Sequence, residues 1–187
     1  MVIRPCDANE TLAAWLVALE LRDRPVALVL TRQDVPTLDR TLFASAEGLR
    51  RGAYILSDAP DGKPDLILIA TGSEVSLILS AQQKLVKEHN VHARVASMPS
   101  WELFERESFE YRNSIIPKSV SARMAVEAAS AQGWRRFVGD QGDVIGIDGF
   151  GSSAPGEVVM GEYGFTVENV CERALELLER RKASEKS

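Results

Sequence analysis

Val26-Ala27-Leu28-Val29-Leu30 contains no polar side chain, which suits a strand covered on both faces, because a half-exposed strand alternates apolar with polar residues. Thr31, Arg32 and Gln33 follow without a spacer. Ligands collect where the parallel strands of open α/β sheets end, so Arg32 stands at a predicted ligand edge. Its planar, permanently charged guanidinium suits a phosphate or a carboxylate. On spacing alone, an ion pair with Asp34 or Asp39 explains it equally well.

The residues before this strand complete one crossover unit. Met1-Val2-Ile3-Arg4 reads as a short strand stopped by Pro5. Asp7 and Glu10 have the spacing of a capping box, and Leu12, Trp15, Leu16 and Leu19 follow at the spacing of one buried helix face. A strand, a helix and a second strand cannot cover both faces of their own sheet. The rest of that sheet is expected in sequence not contained here or in another chain. Residues 34–52 carry a proline, scattered polar side chains and a closing Arg50-Arg51-Gly52, which suit a surface connection.

A second unit begins near Gly52. Ala53-Tyr54-Ile55-Leu56 and Asp65-Leu66-Ile67-Leu68-Ile69-Ala70 are strand candidates, and the short turn cluster between them predicts an antiparallel pair. Thr71-Gly72-Ser73-Glu74 predicts a second capping box, with Val75, Ile78, Leu79, Gln82, Leu85 and Val86 on one helix face. A strand over 93–98 stops at Pro99, and Ser100 is the expected cap of a short helix over 101–106. Another helical turn is expected over 111–116, with strands over 123–128 and 143–148. Thr166 caps the clearest helix, on which Val167, Val170, Cys171, Ala174, Leu175 and Leu178 share a face. Residues 183–187 are expected to fray. Alternating strands and helices point to a mostly parallel sheet.

Composition narrows the functional classes. A net charge of -5 with no basic run before the tail argues against a nucleic-acid binder. No apolar run approaches the roughly 20 residues of a bilayer span, and the N-terminus does not resemble a secretory leader, so the expected compartment is the cytosol and no membrane partner is expected. Cys6 and Cys171 lie far apart without the spacing of a zinc site, and are expected to be inert. His89 and His92 lack a carboxylate or thiol at ligand spacing. No Gly-x-Ser-x-Gly elbow is present.

Two glycine-bearing turns are weaker anion candidates. Gly72 and Ser73 end a strand and open a helix, a geometry that can hold a phosphate on backbone N–H groups or can be a plain turn with a cap. Gly151 and Ser152 lie in Gly149-Phe150-Gly151-Ser152-Ser153-Ala154-Pro155-Gly156, which could cradle an anion or serve as a mobile connection.

Several motifs carry a resemblance from end to end. Arg4-Pro5-Cys6-Asp7-Ala8-Asn9-Glu10-Thr11, Leu30-Thr31-Arg32-Gln33, Ala70-Thr71-Gly72-Ser73-Glu74-Val75, Ser97-Met98-Pro99-Ser100-Trp101-Glu102-Leu103-Phe104, Val126-Glu127-Ala128 and Phe150-Gly151-Ser152-Ser153-Ala154-Pro155-Gly156 with Phe165-Thr166 occur in the order found in transketolases. The sequence resembles the C-terminal part of that family, the thiamine-diphosphate enzymes of the pentose phosphate pathway and Calvin cycle.

The resemblance implies an α/β fold whose mostly parallel sheet carries helices on both faces and one antiparallel strand, preceded by a partial α/β unit. Residues 1–50 would be the end of a pyrimidine-binding domain and its linker, and 51–182 the C-terminal domain. Arg32 aligns with the family's arginine for the phosphate of the sugar-phosphate substrate, and no catalytic residue is expected in this sequence. Thiamine diphosphate and magnesium or calcium would belong to the complete enzyme, a homodimer containing the remaining transketolase domains. Gly142-Asp143-Val144 with Asn169 imitates the family's diphosphate and metal motif, but Val144 replaces a glycine, and Asp143 opens a strand. The alternatives are a non-catalytic binding or assembly module and a related ketolase, such as dihydroxyacetone synthase or deoxyxylulose-phosphate synthase.

Overall fold

A computed structural model describes residues 1–184 as two α/β units joined through buried polar contacts. In the first, β1 (Val2–Ile3) and β2 (Ala27–Leu28) pair in parallel and flank α1 (Ala8–Glu20). Asp7 caps α1, its Oδ1 accepting the Glu10 N–H at 2.8 Å. Ile3, Ala13, Ala14, Val17 and Leu49 form a small core there, the last contributed by a 3-10 helix at Ala46–Arg51.

The buried face of α1 differs from the expected one. Leu12, Trp15 and Leu19 are 65%, 53% and 61% exposed, and Leu16 is also exposed. Ala13, Ala14 and Val17 face inward instead, since small side chains let α1 lie close to β1 and the Ala46–Arg51 helix. The strand expected over 26–30 is likewise shorter: only Ala27 and Leu28 pair, while Val29 and Leu30 are exposed. With one neighbouring strand, β2 has too little sheet around it to bury an aliphatic run.

The second unit is a five-stranded sheet in the order β3-β5-β4-β6-β7, with β3 at Tyr54–Ser57, β4 at Leu66–Ala70, β5 at Ala93–Ser97, β6 at Arg123–Val126 and β7 at Asp143–Ile145. β3 is antiparallel and the other pairings are parallel. The expected β3–β4 hairpin does not form. β5 lies between them and takes β3 as its antiparallel neighbour, because the long α2 (Glu74–His89) carries the chain back over the sheet.

β4 occupies the centre, buried on both faces. Leu66, Leu68 and Ala70 project into a core shared with α2 and α7 (Val167–Ser184), whereas Ile67 and Ile69 project into an opposite core. That second core includes Phe104, Ile115 and Phe137 from three short helices: α3 (Trp101–Arg106), α4 (Phe109–Ile115) and α5 (Arg135–Val138). Alternation along a strand therefore supplies both faces of a three-layer sandwich. Each fully buried Leu or Ile stabilises such a fold by about 2 kcal/mol relative to exposure.

Two helical boundaries correct the sequence reading. α6 (Gly156–Glu162), not expected from the sequence, begins at the last residue of the loop read as either an anion cradle or a mobile connection, and the Tyr163 hydroxyl donates to the Phe150 carbonyl at 2.7 Å across its span. α7 includes Ala183 and Ser184, placed in the expected frayed tail; residues 185–187 lie outside the described residues. Thr166 does cap α7, its Oγ1 accepting the Asn169 N–H at 3.2 Å.

The junction between the units is a buried hydrogen-bond network around Glu10, a fully buried side chain. One carboxylate oxygen accepts the hydroxyls of Tyr54 and Ser97, each at 2.7 Å, and the other accepts the Cys6 N–H at 2.8 Å. Asp7 Oδ2 accepts the Leu38 N–H at 3.0 Å and Arg40 Nη2 at 2.9 Å. Burial, reinforced by the negative Glu10, pushes the Cys6 thiol and Tyr54 phenol pKa values far up, so both stay protonated.

Glu10→Ala strands three donors in the interior and is expected to destabilise the chain by about 3 kcal/mol, read as a lower urea midpoint. Leu12→Gln with Leu19→Gln, on the exposed face of the same helix, is expected to leave that midpoint unchanged.

Candidate functional site

Both units present the carboxyl ends of their parallel strands to a common region. The main chain of Arg4, just past β1, makes the connection: its N–H donates to Pro99 O at 2.8 Å and its carbonyl accepts the Gly72 N–H at 3.1 Å. Its guanidinium pairs through Nη1 with Oε1 of Glu127, immediately past β6. Glu127 Oε2 accepts the Thr71 hydroxyl at 2.6 Å. Residues ending β1, β4 and β6 thus meet in one polar cluster.

A cleft of about 250 Å³ opens beside this cluster. Thr31 and Gln33, the neighbours of Arg32, line one side, and Gly72 and Ser73 line the other. Arg32 itself is exposed at the edge, four residues beyond the end of β2. Among the described residues neither Asp34 nor Asp39 forms an ion pair with it; Asp39 accepts the Thr41 N–H at 2.8 Å and its hydroxyl at 2.7 Å. Gly151 and Ser152 are exposed in the loop before α6 and are not among the residues lining the cleft.

Gly72 and Ser73 differ from a phosphate cradle in their bonding. Gly72 has a φ of +53°, and its N–H is already directed to Arg4. The second capping box does not form either, since Thr71 turns to Glu127 and the Ser73 hydroxyl donates to Glu74 Oε1 at 2.8 Å. Glu74 Oε2 accepts the Ala128 N–H at 3.1 Å, fastening α2 to the end of β6. Burial raises the Glu74 pKa, these two hydrogen bonds oppose the rise, and the nearby Glu127 carboxylate adds to it.

The sequence assigns no site role to Arg4, Thr71 or Glu127: Thr71 reads as a helix cap, and Arg4 and Glu127 occur only within strand ends and family motifs. The available signal is positional: Thr71 and Glu127 each follow an apolar strand at once, as Arg32 nearly does. Only strand order reveals that the two ends are neighbours.

The metal-like sequence Gly142-Asp143-Val144 proves structural. Arg173 grips both Asp143 oxygens at 2.8 and 2.5 Å, and the Asn169 amide donates to the Gly164 carbonyl at 2.7 Å. These residues do not fit a diphosphate and its cation. Among the described residues no group of three His, Cys, Asp or Glu side chains could hold a metal ion, and no helix is long and apolar enough to cross a membrane.

Comparison with known proteins places the chain in a family. Residues 52–166 match the model described as the transketolase-like TK C-terminal domain. The transketolase of Geobacillus stearothermophilus is 54% identical over 177 residues, covering 95% of this chain and 26% of that protein. Transketolase from Leishmania mexicana has the same fold, with a TM-score of 0.87 at 40% identity, over 96% of this chain and 25% of that one. Pichia stipitis transketolase, solved in complex with sedoheptulose-7-phosphate, gives a TM-score of 0.87 at 36% identity, over 97% of this chain and 25% of that one. The chain therefore spans about a quarter of the length of the curated relatives it matches. With a family model matched over residues 52–166 and sequence and fold shared over nearly its whole length, the chain belongs to the transketolase family and corresponds to its C-terminal region.

Proposed function

We propose that this chain supplies part of the substrate-phosphate site and part of the assembly surface of a transketolase, an enzyme that moves a two-carbon ketol unit from a ketose phosphate to an aldose phosphate. The observation that carries this reading is Arg32: an exposed guanidinium without an ion-pair partner among the described residues, just beyond a parallel strand and beside a cleft. A planar cation in that position can bind a phosphate through two parallel N–H bonds. The likeness to a transketolase solved with a sugar phosphate supports the same ligand class.

In this reading residues 1–50 end a pyrimidine-binding domain and 51–182 form the C-terminal domain. The exposed Leu12, Trp15 and Leu19 face is the contact for the remaining transketolase domains, within a cytoplasmic homodimer. Thiamine diphosphate with magnesium or calcium, held elsewhere in the complete enzyme, supplies the carbanion chemistry. The chain's own contribution is to bind and orient the sugar phosphate, which raises the fraction of reactants in productive geometry. Gly72 and Ser73 act as the turn that seats α2 against Arg4 and Glu127. Gly151 and Ser152 are assigned to the connection leading into α6.

Replacing Arg32 by Ala in the complete enzyme is expected to raise KM for phosphorylated sugars about tenfold, the scale of one lost charge-assisted contact. Steady-state kinetics that leave KM unchanged for every phosphorylated substrate would remove its assigned role. Isothermal calorimetry on this chain is expected to show no micromolar, magnesium-dependent binding of thiamine diphosphate; a micromolar titration would overturn the division of labour.

A further inference from the structure

The five-stranded sheet has a second crevice, where its connections diverge. From β4 the chain crosses through α2 to β5 on one side, whereas from β6 it continues to β7 on the other. Ligand crevices of open α/β sheets open between two strands whose connections part in this way. Here, at the carboxyl ends of β4 and β6, lies a cleft of about 550 Å³, a volume in the range of small-molecule sites. Arg4, Thr71 and Glu127 form its shared wall with the smaller cleft beside Arg32.

Its other wall is aromatic. Trp101 meets Trp134 edge to face, with ring centroids 5.0 Å apart at 85°. The close approach of the neighbouring turn depends on Gly133, at a φ of +89°, since a Cβ there would lie 2.9 Å from the Trp101 ring. Ser130 and Gln132 form an exposed rim.

The charges lining this cleft cancel. Arg4 pairs with Glu127; Arg136 pairs with Glu105 and lies 4.8 Å above the Trp101 ring; Glu102 accepts the Val2 N–H at 3.0 Å. Two guanidiniums and two carboxylates in one lining leave no net field to favour a phosphate or an ammonium. Directional groups are plentiful. Arg4 is 36% exposed and bonds Glu127 through Nη1 alone, the Gln132 amide lies on the rim, and a carboxylate oxygen can accept a second hydrogen bond.

We propose that this cleft binds an uncharged, hydroxyl-rich ring, a free sugar or cyclic polyol, with its C–H groups against the Trp101 side of the cleft and its hydroxyls on the polar wall. The site rests on sheet topology and lining residues and is independent of the role assigned to Arg32.

Proton–nitrogen NMR of the full chain, following the Trp101 indole N–H during titration with D-ribose and D-glucose, tests this. At least one sugar is expected to shift that resonance saturably, with a millimolar dissociation constant. Ser130→Trp, which fills the rim, is expected to weaken binding about tenfold, and Gln132→Ala, which removes one exposed amide, about fivefold. Gln132→Ala decides the matter if the larger substitution disturbs the fold. No saturable shift with either sugar, unchanged affinity in the variants, or tighter binding of inorganic phosphate or adenosine would overturn the proposal.

Discussion

The buried carboxylate of Glu10 holds the two units in a single arrangement. It reaches from the first turn of α1 to a tyrosine on β3 and a serine on β5, while its second oxygen takes the Cys6 N–H. Removing such a charge from water is costly, and the cost is offset only when hydrogen bonds surround it. Each bond also has directional demands that an apolar contact lacks. The network therefore sets the orientation of residues 4–10 against the sheet, which the small core around Ile3 and Leu49 cannot do alone.

Once that segment is seated, the rest of the junction follows. Arg4 emerges at the carboxyl ends of β4 and β5, where its backbone bonds to Gly72 and Pro99 and its side chain reaches Glu127. One residue from the smaller unit becomes a wall common to both clefts of the larger. The position of the Thr31-Arg32-Gln33 segment relative to the sheet depends on the same seating, because β1 and β2 are paired. Buried charge thus establishes geometry here, and the aliphatic strands provide the surface against which that geometry is held.

Much of the larger unit was legible from local pattern. The uninterrupted apolar residues of β4 marked a strand, Pro99 marked the end of β5's segment, and the Thr166 cap marked the start of α7. The smaller unit was less legible. Leu12, Trp15, Leu16 and Leu19 have the spacing of a core-facing stripe, yet their face is exposed because periodicity records only that some apolar surface needs a partner. Similarly, the short connection between β3 and β4 suggested a hairpin, but α2 and β5 made a better neighbour for both strands.

The sequence by itself determined the main strands of the larger unit, the long helices α1, α2 and α7 and the location of Arg32 after a strand, since these depend on side-chain period, caps and breakers within a few residues; the short helices at Ala46–Arg51, Arg135–Val138 and Gly156–Glu162 carry no such local signal. Only the tertiary structure decided which strand ends are neighbours. That pairing brings Arg4 to Glu127, 123 residues away, and places Thr71 with them. The physical reason is that local pattern selects the conformation of a segment, whereas strand order and buried hydrogen bonds arise from competition among distant segments for the same interior.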